Sequence, residues 1–442
     1  MLHLALTVTY MSTMTQTVNL GSTAPRGLEA ARARLVSGRL ALALMSSFGA
    51  LTSFYLLLSV TPMYAVSAGA GSAGAGLVTG SLMLATVLAE FASPRLIGRY
   101  GYRATFAAGM LLLGGPVPAL LGPHSMVTIV AVSMARGVGF GLSAVVIGAV
   151  VAASVPAERR GEGIGLAGVV ACVPAIVALP SGVWLAHNVG YPAVIAITAI
   201  SALAPLAAVP WLAGPAHRED GADPDAPPSA GLLASLRSAG QLRPFAVFAA
   251  TTVSAGVVAA FLPLAAGVSA GVAALGLFAQ AVTATASRWW AGRYGDRHGH
   301  TGVLIPGLVI AAAGMITLIW VAIPAVVIAG MCLFGIGFGI AQNATFALMI
   351  ERAPASGYGT ASALWNLAYD AGYGTGPAVF GVFVAHTGYP AAFALTGLLI
   401  LAALKPAVRD RRAARMTEAS PSRMGHDKPL SRPAAPVPRA GW

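Results

Sequence analysis

Charge is what this chain has least of. Lys and Arg number 26 and Asp and Glu 14 among 442 residues, 9% of the sequence. Soluble domains carry about 25%, so this composition cannot supply an ordinary water-facing surface, and lipid is the solvent it suits. Cysteine is nearly as scarce. Cys172 and Cys332 both lie in apolar runs with no metal-like spacing and read as small packed hydrophobes. Lysine occurs twice against 24 arginines, a bias that suggests a GC-rich bacterial genome and therefore a cytoplasmic (inner) membrane. The net charge of +12 comes without a basic face interleaved with aromatics, which argues against a nucleic-acid partner. No G-x-x-x-x-G-K-[ST] loop is present, which argues against ATP-driven transport. No span carries a nucleophile–base pair or a cluster of metal ligands, so neither enzyme activity nor a metal or cofactor is expected.

In place of charge the chain has apolar length. It is 57% hydrophobic with a mean hydropathy of +0.77. Its uncharged runs are long enough to cross a hydrocarbon core of about 30 Å as helices, and they are continuous rather than alternating, which favours a helical bundle over a barrel. Twelve transmembrane helices are expected, at 40–65, 76–97, 104–122, 126–154, 163–186, 191–213, 243–266, 270–293, 302–320, 323–350, 357–387 and 389–408. Residues 1–38 have no basic residue before Arg26 and read as a tail rather than a signal peptide. Residues 214–242 form the one long polar break, a linker between six-helix halves at 39–213 and 243–408, in which "GLLASLRS" suits a short interfacial helix. Residues 409–442 are Arg- and Pro-rich and read as a disordered tail. The connections around Arg99, Arg159, Arg218, Arg297 and Arg352 are basic, as are both tails, and the opposite set carries no Lys or Arg. The positive-inside rule then puts both termini and the linker in the cytoplasm.

The halves repeat at an offset of 198. "GVGFG" at 137–141 matches "GIGFG" at 335–339, and the same register pairs Pro156 with Pro354, Gly161 with Gly359, Arg95 with Arg293, Arg99 with Arg297 and "GYPA" at 190 with "GYPA" at 388. An offset spanning an even number of helices keeps both halves in one orientation, a parallel pseudo-repeat. Between spans 8 and 9 the chain reads "GRYGDRHGH", with Gly292, Asp296, Arg297 and Gly299. Between spans 2 and 3 it reads "PRLIGRYGYR", keeping Arg99, Gly101 and Arg103 but with Pro94 and Gly98 where Gly and Asp would stand. These loops resemble the G-x-x-x-D-R-x-G signature of the major facilitator superfamily, and the resemblance covers residues 39–408. It implies alternating access, with the two loops latching the halves on the cytoplasmic face through charge-assisted bonds to neighbouring helix ends. It also implies a central cavity lined by spans 1, 4, 7 and 10.

Three charges lie inside spans, where each costs roughly 2.5–3.5 kcal/mol on insertion scales. Arg136 opens "RGVGFG" and resembles the span-4 arginine of proton-coupled members; it suits an anion or a nearby carboxylate, or else bonds carbonyls of a neighbouring helix. Glu90 reads as nearer the cytoplasmic end, within reach of Arg95, and is either functional or structural. Asp370 is expected deeper, on a helical stripe with Asn366, Tyr373 and Pro377, as a proton-coupling carboxylate or a tie to a neighbouring helix. Gln342 and Asn343 in span 10 are expected to present at least one amide to the cavity. Gly372, Gly376, Pro377 and Gly381 resemble the span-5 pattern of drug/proton antiporters, displaced to span 11, and suit an interhelical hinge or close helix packing. Together these features imply a secondary transporter, functional as a monomer, that exports small amphipathic or apolar molecules in exchange for protons. Proton-coupled metabolite uptake and a non-transporting membrane sensor are the alternatives.

Overall fold

The computed structural model describes residues 38–122, 125–154, 160–211, 237–354 and 357–418. The expected N-terminal tail, the segment "GLLASL", Arg159, Arg218, Pro156 and the last part of the C-terminal tail lie outside them. The described residues are helical: α1 Gly38–Leu58, α2 Val60–Ser67, α3 Gly71–Gly114, α4 Met126–Ser154, α5 Arg160–Asn188, α6 Tyr191–Leu203, α7 Ala239–Phe261, α8 Ala270–His298, α9 His300–Thr317, α10 Pro324–Glu351, α11 Tyr358–Ala402 and α12 Leu404–Glu418, with short 3-10 turns between them. Ten helical stretches among the described residues are long and apolar enough to cross a membrane. Two of the ten, Gly71–Leu121 and Tyr358–Ala413, run to 51 and 56 residues. At 1.5 Å per residue that is more than about 75 Å of helix, and each is interrupted by one non-helical glycine, Gly101 (φ 78°) in α3 and Gly388 (φ 75°) in α11.

Left-handed backbone explains where these helices turn. A side chain at positive φ collides with its own carbonyl, so glycine occupies such points. Six of the seven positive-φ glycines pair off in the register of the sequence repeat: Gly69 with Gly267, Gly101 with Gly299, and Gly190 with Gly388. Helix packing keeps the same spacing. A Cβ on Gly137, Gly139 or Gly141 of α4 would collide with Leu82 O, Gly109 O or Thr86 O of α3. On Gly335, Gly337 or Gly339 of α10 it would collide with Gln280 O, Gly307 O or Ala284 O. The two "G-x-G-x-G" faces are therefore seated against corresponding carbonyls, as expected where van der Waals contact rather than hydrophobic drive joins helices.

Two expected boundaries move. Sequence carries the linker to residue 242, but Ser238 accepts a hydrogen bond from Gln241 N–H (3.3 Å) and starts α7 at Ala239. Composition makes the C-terminal tail disordered from 409, yet α12 continues to Glu418. Ala403, just before it, and its own Ala407 and Asp410 are buried at helical spacing. Arg352 donates to both Asp410 oxygens (2.9 and 2.7 Å) and to Gly240 O (3.1 Å). A bidentate, half-buried pair of this kind outweighs the polar composition that suggests disorder. Tyr64 is buried and donates to Leu120 O.

Gly139→Ala should lower thermal stability by about 1–3 kcal/mol, the usual cost of overpacking, because its Cβ would sit 2.5 Å from Gly109 O. Gly148→Ala, with open space around it, should melt like the wild type. Unfolding curves followed by intrinsic tryptophan fluorescence check both.

Candidate functional site

The carboxyl groups come together first. Glu90 on α3 and Asp370 on α11 lie within hydrogen-bonding reach of each other, although they belong to different halves of the chain. Asp370 is 7% exposed. Counting at 1.5 Å per residue, each lies roughly 17 Å from the helix end beside the arginine-bearing connections, near the middle of a 30 Å core. Two expectations are corrected. Glu90 does not pair with Arg95, and Asp370 does not rest between an amide and a phenol. On the same stripe Asn366 is exposed, and Tyr373 turns its ring to a cavity.

Close approach of α3 and α11 creates this pair. A Cβ on Gly76 would strike Pro377 O, one on Gly80 would lie 3.1 Å from the Ala378 Cβ, and one on Gly374 would strike the Met83 side chain. Ser72 Oγ donates to Gly381 O at 2.8 Å. Gly372 and Gly376 face α7 instead, against Thr252 and Val253 O. Pro377 has no N–H for Tyr373 O, and the freed carbonyl meets Gly256 of α7, suited to a Cα–H···O contact. All four residues of the small-residue pattern therefore pack helices together. The backbone stays helical at Pro377, and the one non-helical residue within α11 is Gly388.

A cavity of about 250 Å³ lies beside the pair, lined from α1, α5, α7, α8, α10 and α11. Its polar and aromatic lining is Tyr55, Cys172, Gln280, Thr285, Arg288, Phe338, Gln342, Tyr369 and Tyr373. The rings of Tyr369 and Tyr373 stack at 5.5 Å, and Tyr55 and Tyr369 line the same cavity wall. Arg288 Nη1 donates to Gln342 Oε1 at 3.5 Å. Asn343, the next residue, faces away from the cavity: its Nδ2 is 3.3 Å from where a Gly292 Cβ would stand, and its Oδ1 is buried without a partner among the described residues. The cavity is thus more polar and more aromatic than the composition of the chain suggests. Tyr369 and Arg288 are not among the site residues expected from sequence. One lies a turn before Tyr373, and the other is the repeat counterpart of Glu90, so a search for charges that break the repeat finds it.

Arg136 belongs elsewhere. It is 1% exposed, donates from Nη2 to Ser53 O (2.9 Å) and from Nη1 to Leu113 O (3.1 Å), and leaves Nε without a partner among the described residues. No lining residue of the cavity comes from α4. The guanidinium brackets α1 and α3 to α4 through two carbonyls, the structural alternative for this residue. The loop residues also differ from expectation. Asp296 is exposed and its nearest basic atom is His300 Nε2 at 3.8 Å, while Arg297 is exposed with no ion pair among the described residues. The bond that joins this loop to a neighbouring helix end is His300 Nδ1 to Glu351 Oε1, at 2.7 Å. In the first loop Gly101 is left-handed, Arg99 lies 5.4 Å from the Tyr100 ring, and Gly98 has open space around it.

A bundle of apolar helices packed on glycine, with charges buried at mid-depth beside a central cavity, is the architecture of a multi-pass membrane transporter. The chain belongs to the Major Facilitator Superfamily, whose family model matches residues 43–377 and 245–436. No curated protein matches it in sequence. Among solved structures it is similar to a mutant of the peptide transporter POT, at 15% identity and a TM-score of 0.69 over 89% of this chain and 100% of that one. It is also similar to a D-xylose–proton symporter, at 18% identity and 0.65 over 82% and 96%. A mutant of the nucleoside transporter NupG matches at 12% identity and 0.62, over 83% and 99%. At such identities the likeness concerns the fold alone.

Arg136→Met should lower stability by about 1–3 kcal/mol for each buried carbonyl left unpaired, while maleimide labelling of the cavity-lining Cys172 keeps its wild-type rate. A variant of normal stability with altered Cys172 labelling would contradict the bracketing role.

Proposed function

We propose that this chain is a proton-coupled secondary transporter whose coupling site is the Glu90–Asp370 pair. The interrupted helices α3 and α11 count as two crossings each, giving twelve spans in two parallel six-helix halves, 39–213 and 243–408, joined by the 214–242 linker. The arginine-bearing end, with the tails at 1–38 and 409–442, faces the cytoplasm of a bacterial cell, and the protein works as a monomer in the inner membrane. No enzyme activity is part of this reading.

One observation carries it: two carboxyl groups from opposite halves meet at mid-depth on the seam between α3 and α11. Ionised carboxylates only accept hydrogen bonds, so a bond between two carboxyls needs a proton. With the proton present, the pair ties the halves beside the Gly80 and Gly374 contacts. With it gone, two anions face each other; unit charges 4 Å apart repel by about 4 kcal/mol at an effective dielectric of 20. A difference of that size shifts a two-state equilibrium about a thousandfold. Proton occupancy thereby biases which face of the seam opens. Tyr55 lies within electrostatic range of both Asp370 and Arg288, which puts the cavity next to the proton site.

The direction of flux is export by antiport of small amphipathic molecules. The small-residue pattern at Gly372, Gly376, Pro377 and Gly381, which packs α11 against α3 and α7, supports this. Uptake by symport is the second reading, favoured by the likeness to a D-xylose–proton symporter. Inverted vesicles with an acidified lumen separate the two. Adding an exported substrate outside should release lumenal protons, seen as recovery of a quenched pH dye, whereas a symporter gives no recovery. Asp370→Asn and Glu90→Gln should each slow that recovery at least tenfold while keeping the fold, since either amide can donate to the remaining carboxylate. Flux indifferent to a protonophore, or an Asp370→Asn variant that still exchanges protons at the wild-type rate, would overturn the coupling role.

A further inference from the structure

Arg288 is the one charged residue among the described residues that line the cavity. It is exposed there, ten residues before the end of α8, and so near mid-depth. No carboxylate lies within ion-pair distance of it among the described residues, and its hydrogen bond to Gln342 is long at 3.5 Å. Asp370 and Glu90 lie beside each other instead. A permanent cation at this depth without an anion is a costly arrangement, and its planar fork is the group best shaped to hold a carboxylate through two parallel bonds. Around it stand flat surfaces: Tyr369 stacked on Tyr373 at 5.5 Å, with Tyr55 and Phe338 completing the wall. Such rings favour an aromatic guest by offset or edge contacts.

From this we infer that the cargo is a small aromatic monocarboxylate. Its carboxylate seats on Arg288 with Gln342 alongside, and its ring lies among Tyr55, Phe338, Tyr369 and Tyr373. This narrows the transport reading above and rests on it. The cavity, about 250 Å³, admits one or two fused rings and excludes large drugs. The repeat counterpart of Arg288 is Glu90, so the first half offers no matching anion site, and one carboxylate per cycle is the capacity.

Calorimetric titration of the purified full chain tests it with three probes of nearly equal size: benzoate, benzamide and benzylamine. Benzoate should bind at least tenfold more tightly than either of the others. Arg288→Gln should lose that preference and Arg288→Lys keep part of it, both melting at the wild-type temperature. In a Cys332→Ser background, benzoate should also slow maleimide labelling of Cys172, which lines the same cavity. Benzamide or benzylamine binding as well as benzoate, or benzoate affinity unchanged in Arg288→Gln, overturns the assignment. Arg288-dependent benzoate binding without any proton-coupled flux would uphold this site and sink the transport reading. Proton-coupled flux of other compounds with no benzoate binding would do the reverse.

Discussion

Lipid gives helices no hydrophobic reason to associate, so this bundle is held by how near its backbones can come. Glycine sets that distance. Where Gly76 and Gly80 of α3 meet Pro377 and Ala378 of α11, and Gly374 meets Met83, the axes are close enough that two short carboxyl side chains can touch a few turns further along. Wider spacing would leave Glu90 and Asp370 as separate charges inside the bundle, each demanding its own compensation. The same contacts bring α7 against Tyr373 and so shape the aromatic wall of the cavity. The carboxyl pair and the aromatic wall of the cavity are both consequences of close helix packing.

Much of the scaffold is legible in the chain. The glycine triplets at 137–141 and 335–339 do what their spacing implies, and the left-handed turns recur at the same offset. Residue chemistry also points to Asp370, Glu90 and Gln342. Pairing is harder to see, because Glu90 meets Asp370 across the two halves and no local period relates them. Facing is equally hidden: Gln342 and Asn343 are neighbours in sequence, yet one looks into the cavity and the other at Gly292. Arg136 shows the limit most clearly. Its type and depth suit an ion site, but the carbonyls of Ser53 and Leu113 that claim it come from other helices and are brought to it only by folding. The tail helix escapes a reading by composition because its many arginines outweigh the buried stripe of Ala403, Ala407 and Asp410.

Where the correspondence between the halves fails, chemistry appears. Glu90 stands opposite Arg288, Arg136 opposite Phe334, and Asp370 opposite Cys172. Glycines and turn positions keep the correspondence, whereas these charges in the middle of the bundle depart from it. A scaffold repeated in this way stays symmetric in packing while its two sides differ in electrostatics, so cation and anion sites can sit at equal depth without neutralising each other.

The joint at Asp410 has a mechanical meaning. Arg352 at the end of α10, Gly240 and Arg243 at the start of α7, and Asp410 of α12 meet within hydrogen-bond or ion-pair distance, and Gln241 Nε2 adds a bond to Met349 O at 2.9 Å. At that end α7, α10 and α12 form one knot and cannot slide past one another. The lines at that end that this joint leaves untied are those between α3 and α11 and between α5 and α8, so the joint makes α7, α10 and α12 a single strut.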